Sequence, residues 1–69
     1  MKGGDNMPMT PKEMVQYLKK NGFKKVKGGK GGHQKMKNFT NNLITEVPMH
    51  SGELDKGLEH AILKQAKLK

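Results

Sequence analysis

The chain has 69 residues, of which 32% are hydrophobic, and it contains neither cysteine nor tryptophan. A domain of this size buries only about 60% of the surface that its unfolded chain exposes, so we expect a thin core. Without cysteine, disulfides and thiolate metal sites are excluded. The apolar runs are too short for a membrane span or a secretory signal, so we expect a cytoplasmic protein.

The charge is strongly basic and unevenly distributed. Fourteen lysines against six acidic residues give a formal charge of +8, and there is no arginine. Eight of these lysines fall between Lys19 and Lys37. Such clustering predicts a polyanionic partner, either a nucleic acid or an acidic protein. The alternative is a lysine-rich face that serves only solubility.

The first predicted element is a helix over residues 11–21, which follows a flexible N-terminal tail over residues 1–8. Thr10 is a good N-cap, and Glu13 completes a capping box with it. Gly22 ends the helix because glycine adopts the left-handed conformation without strain.

Three strands are predicted next, over residues 23–27, 32–40 and 43–47. Phe23 and Val26 are the expected core residues of the first strand, although they do not alternate cleanly. A glycine-rich turn over residues 28–32 separates the first two strands. Asn41 and Asn42 predict a two-residue hairpin turn between the second and third strands, because asparagine tolerates positive φ.

A second helix is predicted over residues 55–67. Its apolar stripe consists of Leu58, Ala61, Ile62, Gln65 and Ala66. The resulting order, α-β-β-β-α, predicts an α+β fold in which a three-stranded antiparallel sheet carries both helices on one face. This is the order of double-stranded RNA-binding domains.

The second strand carries the most informative residues. Because side chains alternate along a strand, His33, Lys35 and Lys37 are expected on one face, with Gln34 and Met36 on the other. Met36 would face the helices, so the histidine would lie on the open, lysine-rich face. The alternative is that His33 is an exposed polar residue without a role.

A histidine among lysines suits cleavage of RNA, which carries its own nucleophile, the 2′-hydroxyl. An imidazole exchanges protons near neutral pH, and lysines stabilise the charge of a phosphorane. We predict His33 as the proton-transfer residue and Lys30, Lys35 and Lys37 as RNA-phosphate contacts. No metal or other cofactor is expected. His50 is a second candidate proton carrier that the sequence does not place near His33, and its alternative role is to structure a loop.

Four further segments, in this order and spacing, are typical of a known family. They are Leu18-Lys19-Lys20-Asn21-Gly22-Phe23, Gly31-Gly32-His33, Val47-Pro48-Met49-His50-Ser51-Gly52, and Lys56-Gly57-Leu58 with Ala61-Ile62-Leu63-Lys64-Gln65-Ala66. The chain resembles the HicA-type toxins of HicA–HicB toxin–antitoxin pairs over nearly all of residues 9–69, which we therefore interpret as a single HicA-like RNA-cleaving domain. The resemblance implies a fold like a double-stranded RNA-binding domain, cleavage of messenger RNA, and neutralisation by a HicB-type antitoxin that covers the active site.

The resemblance also assigns the catalytic role to His33. In the family the usual motif is Gly-Ser-His, often followed by a second histidine, and the first histidine is the catalytic one. Here Gly32 replaces the serine and Gln34 replaces the second histidine. The motif therefore lacks a hydroxyl near the scissile phosphate and has one imidazole instead of two.

Two other interpretations remain open from the sequence. The chain could be a non-catalytic module similar to double-stranded RNA-binding domains, with lysines supplying the affinity. The basic face could also serve mainly to dock an antitoxin through an acidic segment. With only two Phe and one Tyr, base stacking on aromatic side chains is expected to be weak.

Overall fold

The computed structural model of the chain describes residues 9–69, so the predicted tail over residues 1–8 lies outside the described part. The elements are α1 (Pro11–Lys20), β1 (Phe23–Val26), β2 (His33–Asn38), β3 (Leu43–Pro48) and α2 (Lys56–Gln65). The strands form one antiparallel sheet in the order β1-β2-β3, which confirms the predicted α+β fold. Within this part of the chain, neither helix is long and apolar enough to cross a membrane.

The predicted capping box holds the start of α1. The Glu13 amide donates to the Thr10 hydroxyl at 3.2 Å, and the Thr10 amide donates to the Glu13 carboxylate at 2.9 Å. These two bonds satisfy backbone donors that a helix start otherwise leaves unpaired. The helix ends at Lys20 with Asn21 as its C-cap, close to the predicted boundary.

The core lies between the two helices and one face of the sheet. Its buried members are Met14, Val15, Leu18, Phe23, Met36, Val47, Leu54, Ile62, Leu63 and Ala66. Thr45 is buried among them, and its hydroxyl donates to the Gln65 side-chain oxygen at 2.8 Å. This bond explains how a glutamine fits the apolar stripe of α2, since a buried hydroxyl needs a partner.

Val26 is not the core residue that the sequence predicted. It pairs with Lys35 and is only partly buried, whereas Phe23 pairs with the buried Asn38. The two residues are an odd number of positions apart, so a regular strand places them on opposite faces. Phe23 therefore packs under the helices and Val26 lies on the open face.

The β2–β3 hairpin has a four-residue loop over residues 39–42, not the predicted two-residue turn, because Asn38 pairs with Leu43. The Asn38 side-chain oxygen accepts from the amides of Thr40 and Asn41, at 2.9 and 3.4 Å, and so organises the wider loop. Asn42 has φ of 62°, as expected for an asparagine in such a turn.

Candidate active site

The open face of the sheet presents the predicted site residues in a row along β2. His33, Lys35 and Lys37 alternate with inward-facing residues, and Met36 between them is fully buried. Across the β2–β3 ladder, Lys35 lies opposite Glu46 and Lys37 lies opposite Ile44. Side-chain alternation along β2 therefore produces the predicted grouping of one histidine and two lysines on one face.

A carboxylate holds the His33 ring. The Glu46 Oε1 atom lies 3.2 Å from His33 Nδ1, and both side chains are a little over one third exposed. This contact engages Nδ1 and leaves Nε2 as the ring nitrogen that can meet a substrate. A carboxylate on one ring nitrogen orients the imidazole and fixes the direction in which the other nitrogen points.

Glu46 was not predicted from the sequence, although a signal for it exists. It is the single acidic residue within the three strands. In β3 it lies between Thr45 and Val47, both buried, so alternation places it on the open face with His33. An isolated acid on a lysine-rich face is the pattern that marks it.

His50 lies beside His33, which the sequence alone could not show. The two ring centroids are 5.6 Å apart and the rings are inclined at 47°. The segment that carries His50 is tied to the start of β2, because the Met49 amide donates to the Gly32 carbonyl at 3.0 Å. The site therefore contains two imidazoles, one from a strand and one from a loop.

Gly32 makes room for the second imidazole. Its φ is +82°, and a Cβ at this position would lie 2.9 Å from His50 Cδ2. Carbon atoms pack at about 3.5–4.0 Å, so a serine here would push the His50 ring away. The glycine at position 32, where the family motif has serine, thus leaves the space that the His50 ring occupies.

Gln34, which stands where the family motif often has a second histidine, does not point towards the His33 side of the sheet. It pairs with the fully buried Val47, so its side chain starts on the helix-facing side of β2. Its amide nitrogen donates to the carbonyls of Val26 and Lys35, at 3.2 and 2.9 Å. Gln34 therefore braces the β1–β2 ladder, and the imidazole nearest to His33 comes from the loop after β3.

Two open clefts meet at His33. One, of about 500 Å³, is lined by Lys25, Val26, Lys27, Gly28, Gly29, His33 and Gln34. The other, of about 350 Å³, runs between β3 and α2 and is lined by His33, Ile44, Thr45, Glu46, Pro48, Leu58, Ala61, Ile62 and Gln65. Lys25 and Lys27, which the sequence did not single out, thus line the same cleft as His33.

The three predicted phosphate-binding lysines differ in their surroundings. Lys35 and Lys37 share the open face with His33, and the Lys37 ammonium lies 4.9 Å from the Phe39 ring centroid. Lys30 is exposed in the glycine-rich turn, where its carbonyl accepts the His33 amide at 2.8 Å. Within residues 9–69, no three His, Asp or Glu side chains are grouped to hold a metal ion.

Comparison with known proteins identifies the family. The pattern described as "HicA toxin of bacterial toxin-antitoxin" matches residues 11–68 of the chain. The chain belongs to the HicA toxin family. Among solved structures, the chain is similar to a chain of a toxin–antitoxin complex from Streptococcus pneumoniae. The two are 44% identical, the match covers 88% of this chain and 100% of that chain, and the TM-score is 0.75. No curated protein sequence matches.

Proposed function

We propose that this HicA family member is an endoribonuclease that cleaves messenger RNA without a metal ion, with His33 as general acid/base. The observation that carries the proposal is the arrangement of His33, held by Glu46 at 3.2 Å and accompanied by the His50 ring at 5.6 Å. This arrangement lies on an open face in a strongly basic chain, where an RNA backbone would be attracted.

The proposed reaction uses the substrate's own 2′-hydroxyl. A neutral imidazole removes its proton as the oxygen attacks the adjacent phosphorus, and the bond from phosphorus to the 5′-oxygen breaks. A protonated imidazole gives its proton to the departing 5′-oxygen, which leaves a 2′,3′-cyclic phosphate and a free 5′-hydroxyl. His33 and His50 are close enough to divide these two transfers, and each transfer contributes roughly 10²–10⁴-fold to the rate.

Lysines are proposed to bind the phosphates and the developing negative charge. Lys35 and Lys37 follow His33 along the open face, and Lys30 extends the basic surface into the glycine-rich turn. Lys25 and Lys27 line a cleft that includes His33. Ammonium groups in such positions stabilise a pentavalent phosphorane more strongly than the ground-state diester.

The proposed partner is a HicB-type antitoxin, which would act in the cytoplasm where messenger RNA is translated. The structural relative belongs to a toxin–antitoxin complex, and the formal charge of +8 suits a partner with an acidic segment. Placed over the His33 face, such a segment would exclude RNA by occupying its phosphate-binding lysines.

The test is to identify the product ends and the residue that makes them. Wild-type protein should cut an RNA to 2′,3′-cyclic phosphate ends, and a single 2′-deoxy substitution at the cut site should block that cut. His33→Ala should remove cleavage yet still bind RNA. His60→Ala is the matched control, because this histidine is exposed on α2 and should leave cleavage unchanged. RNA binding without cleavage by the wild type would favour the non-catalytic module instead.

A further inference from the structure

The end of the lysine row carries an exposed aromatic ring that the proposed chemistry does not use. Phe39 follows β2 directly and is 58% exposed, the largest exposure among the large hydrophobic side chains of residues 9–69. The Lys37 ammonium lies 4.9 Å from its ring centroid. Because Lys37 is on the open face, this contact places the Phe39 ring at the end of the same face.

The surroundings of the ring fit a nucleobase. Ile44, opposite Lys37 in the ladder, is 42% exposed and adds apolar surface beside the ammonium. The Lys37 ammonium lies over the Phe39 ring, and the residue as a whole is still 58% exposed, so ring surface remains for stacking on a base. A nucleotide offers a matching pair of groups, namely a flat base for the ring and a phosphate for the ammonium.

We propose that Phe39 and Lys37 form a subsite for an unpaired nucleobase and its phosphate, so that the substrate is single-stranded RNA across this end of the face. The proposal rests on the proposed function and adds the substrate class. The six residue steps from His33 to Phe39 span about 20 Å along the strand direction, so this subsite lies at the far end of the open face from His33. In a duplex the bases are already stacked and paired, so the Phe39 ring could not engage one.

The row of lysines that leads from Phe39 towards His33 favours RNA over a protein as the ligand of this subsite. Lys35 and Lys37 form a continuous row with Phe39, and the row leads to the His33 region. Bases stack on aromatic side chains with little dependence on sequence, because every base has a flat face. The subsite would therefore hold and orient the chain without selecting a particular base.

The experiment measures binding of a short, uncleavable 2′-O-methyl oligonucleotide, single-stranded and annealed to its complement, by fluorescence anisotropy. Phe39→Ala should weaken binding of the single strand by about 5- to 150-fold, the range for loss of one stacked base, and leave duplex binding unchanged. Phe39→Trp should restore it and Phe39→Leu should not. Tyr17→Ala is the matched control, since this aromatic residue is also exposed but lies on α1, which packs on the other face of the sheet.

A fluorescent adenine analogue in the single strand gives a direct readout of stacking. Its emission should be quenched by the wild type and by Phe39→Trp, but not by Phe39→Leu. Equal binding by the wild type and Phe39→Ala would overturn the subsite while leaving the proposed ribonuclease intact. If the wild type binds neither form, the proposed function and the subsite both fall. If Phe39→Ala binds RNA normally but no longer binds the antitoxin, Phe39 belongs to a protein interface instead.

Discussion

Substitution of Gly32 by alanine should separate the two imidazoles of the site. Two terms contribute to its effect on stability. With φ of +82°, an L-residue here is strained by about 1–2 kcal/mol. The added Cβ would also lie 2.9 Å from His50 Cδ2, at least about 0.6 Å inside normal carbon contact. His50 is exposed in a turn, so its ring can move aside and relieve most of the second term.

We therefore expect Gly32→Ala to lower the free energy of unfolding by about 1–2 kcal/mol, mostly through the backbone. For a domain of this size the melting temperature should fall by about 4–16 °C. The cleavage rate, measured below the melting transition, should fall by roughly 10- to 100-fold, because an ångström of displacement is costly for a proton-transfer group. The His33–His50 ring contacts should weaken in nuclear Overhauser spectra.

Gly31→Ala is the matched control for this substitution. Gly31 also has positive φ, at +41°, but a Cβ there would have no heavy atom within 4 Å. This variant should lose similar stability and keep its cleavage rate. In a His50→Ala background, Gly32→Ala should cause no further loss of cleavage. Cleavage by Gly32→Ala at the wild-type rate, or an equal loss of cleavage in Gly31→Ala, would contradict a role for the His50 ring position.

Three further predictions concern the orienting carboxylate, the phosphate contacts and the first helix cap. Glu46→Gln should slow cleavage about 5-fold, since a partly exposed charge-assisted hydrogen bond contributes about 1 kcal/mol. The same variant should bind RNA more tightly, because the basic face loses a negative charge. A loss of both cleavage rate and RNA affinity would contradict the orienting role of Glu46. Lys35→Ala and Lys37→Ala should each weaken binding of single-stranded RNA. Each should also reduce the slope of the logarithm of the binding constant against the logarithm of salt concentration by about 0.7. Lys12→Ala on α1 is the control and should change this slope less. Thr10→Ala should reduce the free energy of unfolding by about 1 kcal/mol in a denaturant titration, with cleavage unaffected at low temperature; an unchanged midpoint would show that the capping box is not stabilising.

The fold and the face of His33 were predictable because both depend on local rules. The capping box of α1 uses residues three positions apart, and strand alternation assigns His33, Lys35 and Lys37 to one face whatever the hairpin register. The predicted two-residue turn would have paired Lys37 with Glu46, whereas the four-residue loop pairs Lys35 with Glu46. A shift by two residues keeps every side chain on its face and changes only its neighbours.

The contents of the site were less predictable because they depend on contacts between distant segments. The loop that holds His50 is fixed by the Met49 amide on the Gly32 carbonyl, and the Leu54 amide donates to the Met9 carbonyl at 2.7 Å. Backbone bonds of this kind carry no side-chain periodicity. The sequence could name His50 as a candidate, but only the folded chain shows its distance from His33.

Metal-independent cleavage of RNA by His33 is best tested with a denaturing gel of a plain messenger RNA incubated with the purified protein in EDTA, beside its His33→Ala variant. The wild type should cut the RNA while the chelator is present and His33→Ala should leave it whole, with both proteins folded by circular dichroism. Equal cutting by the two proteins would contradict the assignment of the proton transfer to His33. An RNA left whole by both would contradict the ribonuclease itself.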